Sequence, residues 1–297
     1  MFRLLSLFGL LLILVAPARA QDDPPPLTEA DGWRSTATAQ LAGSQAAYSN
    51  WQEGGVSTLA FTASTDGVFE RILGAFKQKH EARFAFGLLK QDSLDFRKAE
   101  DLIRYAFALQ YRGFGVVQPT LTLGARTQFA PGYDYSPTAE EYPTLPIIAG
   151  QELKVSDFGA PAYLTQTLGI TYDPDRWYTA RIGLGIKETV VGIDRLRPLY
   201  GNGPDEAVRV EAGLDAEVQV DRQLAENIRL QSRLGAFQAF NQVGNQVPDT
   251  IWENTLTMQI SRILNVTLGV VTVFDRDVSE DIQVKEVLSL GVSFALL

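Results

Sequence analysis

Apolar residues recur at every second position along most of the chain, and alternation sustained over about eight residues marks a β-strand with two unlike faces. In the clearest run, Val208, Val210, Ala212, Leu214, Ala216, Val218 and Val220 share one face; Arg209, Glu211, Gly213, Asp215, Glu217 and Gln219 share the other. The same split separates Ile103, Tyr105, Phe107, Leu109 and Tyr111 from Arg104, Ala106, Ala108, Gln110 and Arg112. It also separates Tyr178, Ala180, Ile182, Leu184 and Ile186 from Thr179, Arg181, Gly183, Gly185 and Lys187. Twelve such segments are predicted, near residues 33–45, 55–65, 80–90, 101–112, 116–130, 160–172, 176–187, 207–221, 226–240, 251–261, 264–275 and 283–295. An even count suits a closed antiparallel barrel of the outer-membrane type, in which one face meets hydrocarbon and the other a wet lumen.

Connection lengths test this independently, because such barrels alternate short periplasmic turns with longer outer loops. Gly113–Gly115, Asp173–Asp175, Arg222–Ala225 and Arg262–Ile263 fall where periplasmic turns belong and are short. Ala46–Gly54, Gln91–Glu100, Pro131–Gly159, Glu188–Glu206, Asn241–Thr250 and Arg276–Ile282 fall outside and are longer. One connection breaks the rule: residues 66–79 should form a tight turn, yet Val68, Phe69, Ile72, Leu73 and Phe76 recur at helical spacing. That spacing favours a short amphipathic helix at the periplasmic face, with strand extension as the other reading.

A soluble sandwich or lipocalin-like barrel has the same period with its apolar face turned inward. Aromatic placement favours the membrane form. Tyr111, Tyr172, Trp177, Tyr178 and Phe294 fall at strand ends expected on the periplasmic side, and Phe129, Phe240, Trp252 and Phe274 at those expected outside. Amphipathic rings at both headgroup levels form such girdles. Gln166 and Asn254 are polar residues on apolar faces. The expected fold is therefore all-β: a closed antiparallel outer-membrane barrel of about 12 strands, with one short periplasmic-side helix.

Met1–Ala20 has a basic start, an apolar run from Leu4 to Val15 and a small-residue end, the pattern of a secretory signal. Residues 21–32 are acidic and Pro-rich and read as a disordered lead-in; residues 33–297 form the barrel domain. The absence of Cys removes disulfides, thiolate metal sites and thiol nucleophiles, and a single His makes a His-based metal centre improbable. A net charge of −9 argues against a nucleic-acid partner. Expected partners are outer-membrane lipid, the barrel-assembly machinery during insertion, and small polar solutes; no cofactor or metal is expected.

The most function-like feature is a row of lumen-facing charge: Arg83, Arg104, Arg126, Arg181, Lys187, Arg209, Arg229 and Arg233, with Glu211, Asp215, Glu217 and Glu253. In an open lumen these would set selectivity; in a filled one they would be a salt-bridged plug. Glu211, Asp215 and Glu217 are spaced for paired-carboxylate chemistry, but neighbouring Arg and Lys make ion pairs the better expectation. His80 falls at a strand start among charges, a poor place for a triad base, so no enzyme is expected. Asp92, Asp95, Glu140, Glu141 and Asp157 offer oxygen ligands for Ca²⁺ without a matching loop spacing. Two functions stand: a passive or ligand-gated pore for small polar solutes, with Pro131–Gly159 folding inward as a constriction, or a structural or surface-binding barrel that uses its long loops.

Several segments resemble a known family. Asn50-Trp51-Gln52-Glu53-Gly54-Gly55-Val56-Ser57, Arg97-Lys98-Ala99-Glu100-Asp101, Thr127-Gln128-Phe129-Ala130-Pro131-Gly132-Tyr133 and Val155-Ser156-Asp157-Phe158-Gly159-Ala160-Pro161-Ala162-Tyr163 are similar to the outer-membrane family catalogued as domain of unknown function 3078 (DUF3078). Leu168-Gly169-Ile170-Thr171-Tyr172-Asp173-Pro174, Glu226-Asn227-Ile228 and Val284-Lys285-Glu286 extend the resemblance. The resemblance implies a Gram-negative outer-membrane location and supplies no catalytic residues.

Overall fold

The computed structural model describes residues 32–47, 56–143, 145–174, 176–240, 247–279 and 281–297. The expected signal segment, nearly all of the lead-in and residues 50–55 of the first family-like motif lie outside them.

Among the described residues the chain runs through β1 (Gly32–Ala46), β2 (Thr58–Leu73), β3 (Phe76–Gln91), β4 (Arg97–Tyr111), β5 (Val117–Thr127), β6 (Gly132–Asp134) and β7 (Leu153–Ser156). It continues through β8 (Ala162–Tyr172), β9 (Tyr178–Val190), β10 (Val208–Ala225), β11 (Ile228–Ala239), β12 (Asp249–Gln259), β13 (Leu264–Phe274) and β14 (Gln283–Ala295). All but β6 and β7 join one closed antiparallel barrel, each strand paired with its chain neighbours, β5 with β8, and β1 closing on β14. The predicted strands are all present. β6 and β7 pair with each other inside the long β5–β8 connection.

Burial is inverted relative to a soluble protein. Leu168 and Leu184, directly opposed on β8 and β9, are 69% and 65% exposed, whereas Glu211 on the other face of β10 is 1% exposed. Exposed leucines, isoleucines and valines cover the outward faces of β8, β9, β10 and β14. An apolar surface of this extent is not tolerated in water, so the fold is a barrel of the outer-membrane type. One polar outlier on that surface, Asn254, is satisfied locally: the Ser232 hydroxyl donates to Asn254 Oδ1 (2.8 Å), and Trp252 Nε1 donates to Ser232 Oγ (3.0 Å).

The expected helix over residues 66–79 is absent. β2 and β3 instead stay paired from Thr58↔Gln91 down to Leu73↔Phe76, around a turn in which Gly74 adopts φ +56°. The helical spacing arises because each face mixes apolar and charged residues at this end: Glu70 and Lys77 lie on the face of Ile72, and Arg71 and Gln78 on that of Leu73. Val68 and Ile72 point inward and Ile72 is buried, while Phe69, Leu73 and Phe76 point outward. With both faces mixed, the period of two disappears from the sequence.

If the outward face meets hydrocarbon, Leu184→Arg at the middle of β9 costs about 2–4 kcal/mol in a vesicle unfolding titration. Ser289→Arg, on the inner face of β14, costs clearly less. Equal costs would contradict this assignment of faces.

Candidate functional site

Directly paired residues share a face, so the strand register places every expected lumen residue on one side of the sheet. Arg83, Arg104 and Arg126 stand opposite one another on β3, β4 and β5. Arg181 and Lys187 on β9, Arg209, Glu211, Asp215 and Glu217 on β10, Arg229 and Arg233 on β11, and Glu253 on β12 continue that face round the barrel. It is the inner face, because these side chains meet across the lumen.

Three groups of contacts result. At the long-loop end, Lys187 bridges Glu211 (3.0 Å) and Asp249, while Arg209 joins Glu211 (3.3 Å) to Asp277. Oxygens of Glu211, Asp249 and Asp277 lie within 4.8 Å of one another, with the Lys187 and Arg209 cations among them. The chain's own cations thus hold the positions that a metal would need. In the middle, Arg181 pairs with Asp215 (2.9 Å) and donates to Thr122 Oγ1 (2.5 Å), and Arg233 pairs with Glu217 (2.5 Å). At the short-turn end, Arg229 and Asp221 pair at 2.5 Å with both side chains about half exposed.

One contact differs in kind. Arg104 Nη1 donates to Glu253 Oε2 at 2.6 Å. β4 and β12 have five strands between them on either side, so this ion pair joins opposite walls. A round barrel of twelve strands about 4.8 Å apart and tilted by about 40° would measure about 24 Å across. Extended Arg and Glu side chains with a hydrogen bond between them span only about 15 Å. The barrel is therefore flattened along the β4–β12 direction, and its lumen is bridged at that level.

The long loops sit at the rim. Lys98 Nζ donates to Ala130 O (2.8 Å), and Asp101 accepts from the Phe129 and Ala130 amides (2.7 and 2.8 Å). The Tyr200 hydroxyl, in the 3-10 segment Asp194–Tyr200, donates to Val155 O (2.9 Å), and burial pushes its pKa up to about 12. Leu196, Val191 and Ala160 form a small buried core beneath these loops. Of the Pro131–Gly159 loop, Val155 is fastened to the Asp194–Tyr200 segment and Tyr142 donates to Asp134 Oδ2 (2.9 Å).

The remaining candidates separate. His80 points outward, with Nδ1 2.7 Å from the Tyr105 hydroxyl and its ring 4.9 Å from Phe107, away from the lumen carboxylates. The suggested Ca²⁺ ligands do not converge: Asp92 accepts from the Ser57 amide, Glu141 from Thr138, and Asp157 pairs with Lys154. Tyr111 stacks near Phe76, and Tyr172, Tyr178 and Trp177 cluster, all at the short-turn end. Trp252 and Phe274 face outward near the long-loop end, and Phe240 is exposed just past β11.

Phe294 is a correction. β14 meets β1 only over Thr38–Gly43, so Phe294 lies beside Ala39, midway along β1. There it shares an outward groove of about 310 Å³ with Phe84, Phe86 and Phe129. Phe129 and Phe294 therefore do not belong to girdles on opposite sides.

Sequence reasoning missed Asp249, Asp277, Glu81, Lys79 and the Lys285–Glu100 pair. Asp249 and Glu81 were within reach, since each shares parity with a charged residue already on the inner face, Glu253 and Arg83. Asp277 lies in a loop, where parity says nothing.

Comparison with known proteins adds a family match. Residues 44–133 match the family model described as Protein of unknown function (DUF3078). The resemblance seen in the sequence is thus borne out over that stretch, and the segments quoted from residue 155 onward lie beyond it. No curated protein matches the chain. Among solved structures, the translocator domain of the autotransporter NalP from Neisseria meningitidis is 11% identical, with 91% of this chain and 90% of that chain covered and a TM-score of 0.37. The Pseudomonas putida toluene transporter TodX is 10% identical over 90% and 89%, with a TM-score of 0.34. Salmonella typhi OmpF is 9% identical over 90% and 98%, with a TM-score of 0.33. At these values the likeness carries no functional argument.

Removing one partner of a buried pair leaves an uncompensated charge. Lys187→Met, which strands Asp249 and leaves Glu211 with Arg209 alone, is expected to cost about 3–5 kcal/mol in a denaturant titration. Arg229→Ala, at the half-exposed pair, is expected to cost under about 1 kcal/mol. Equal losses would contradict the burial difference between the two sites.

Proposed function

We propose that this chain is an outer-membrane barrel whose polar lumen is a gated path for small polar solutes, held shut by the Arg104–Glu253 pair. The observation that carries the reading is the 2.6 Å contact between diametrically opposed strands. In this reading lipid surrounds the apolar outward face, and the charged inner face lines the lumen.

A gate, rather than a permanent plug, is favoured by how the contact is made. Both side chains are about one-fifth exposed, more open than Lys187 and Glu211. Glu253 also has a second partner on its own side of the lumen, Arg233, directly opposite it on β11 and 3.9 Å away. Letting go of Arg104 leaves Glu253 paired with Arg233. Two arrangements of similar energy are what a switchable element requires. The second function, a surface-binding barrel, draws support from the ordered rim loops, which present the exposed side chains of Phe158 and Ile148.

Planar-bilayer recording distinguishes these. The gated path predicts rare or small steps for the wild type and frequent, larger steps for Glu253→Gln. Silent membranes for both proteins would overturn the gate and favour the surface-binding reading.

A further inference from the structure

Arg83, Arg104 and Arg126 form a row across three neighbouring strands, each directly opposite the next. Like charges placed so are destabilising unless an anion offsets them. Nearby carboxylates are mostly committed elsewhere: Glu81 to Lys79 (2.6 Å), Glu217 to Arg233 and Asp215 to Arg181. Arg83 meets only a half-exposed Asp66 at 3.6 Å, and its Nε is buried without a hydrogen-bond partner. Among the described residues no carboxylate pairs with Arg126. Glu253, arriving from the opposite wall, is thus the main counter-charge to the whole row.

We propose that the Arg83–Arg104–Arg126 row is a binding site for a small oxyanion with two or more charges, such as a dicarboxylate or a phosphate compound, which competes with Glu253 for Arg104. Strand spacing sets the first and third arginines about 10 Å apart, a span that suits a multivalent anion better than a single carboxylate. Guanidinium groups bind carboxylate and phosphate oxygens through paired, charge-assisted hydrogen bonds. An anion seated on the row takes over the role of Glu253, which swings back to Arg233, and the lumen bridge is released. This names the solute class for the gated lumen and relies on that reading for the consequence of binding; the site itself does not depend on it.

The test is isothermal titration of the folded, detergent-solubilised full chain with pyrophosphate at constant ionic strength. Saturable binding to one site is expected. Arg83→Gln with Arg126→Gln should weaken it by about tenfold or more, and Glu253→Gln should tighten it by releasing Arg104. Tightening cannot arise from damage to the fold, so that variant keeps the test decisive if the double variant folds poorly. No binding to either wild type or Glu253→Gln, or binding that Glu253→Gln leaves unchanged, overturns the proposal. Binding that tightens in a Glu253→Gln protein that never conducts supports the anion site and removes the gate; conduction without binding removes the site and keeps the gate.

Discussion

A backbone in hydrocarbon has no water to bond with, so every amide and carbonyl of a spanning strand must find its partner in a neighbouring strand. The closed ladder from β1 round to β14 is of the kind that meets that demand, and the rest of the molecule follows from closure. Closure leaves each side chain two destinations, outward or inward. Leucine and valine go outward, and the charged residues that alternate with them are forced into a confined interior. Charges confined together must pair or be solvated, and here they pair.

The pairing has a hierarchy. Lys187, Arg209 and their carboxylates lie deep at the long-loop end and brace β9, β10, β12 and the β13–β14 loop. Arg181 and Arg233 tie adjacent walls. Among the described residues Arg104–Glu253 joins diametrically opposed strands, and Lys285–Glu100 also crosses the lumen, from β14 to β4. The β1–β14 seam shows a related economy: its backbone pairing is short, and Gln40, Asn265 and Ser293 knit its inner face with side-chain hydrogen bonds.

How much of this was legible in the sequence depends on the range of the interaction. Facing is local, so the alternation from Val208 to Val220 placed Arg209, Glu211, Asp215 and Glu217 correctly. Where both faces mix apolar and charged residues, around Ile72 and Leu73, the alternation vanishes and the sequence predicts a helix in place of a hairpin. Shear is non-local: nothing near Phe294 says that β14 meets β1 at its middle. The Arg104–Glu253 contact joins residues 149 apart in the chain. It depends on flattening of the barrel, which no sequence period encodes; the sequence could nominate both residues for the lumen but not pair them.

The lumen is bridged because β4 and β12 lie close together. The chain has no Cys, so spin labels at Ile103→Cys and Asn254→Cys, on the outward faces beside Arg104 and Glu253, report that distance directly. Pulsed electron paramagnetic resonance in lipid should give a separation matching backbones about 15 Å apart, after allowance for the label arms, and lengthening toward about 24 Å when Glu253→Gln is added. The longer, round-barrel distance with Glu253 intact would contradict the account.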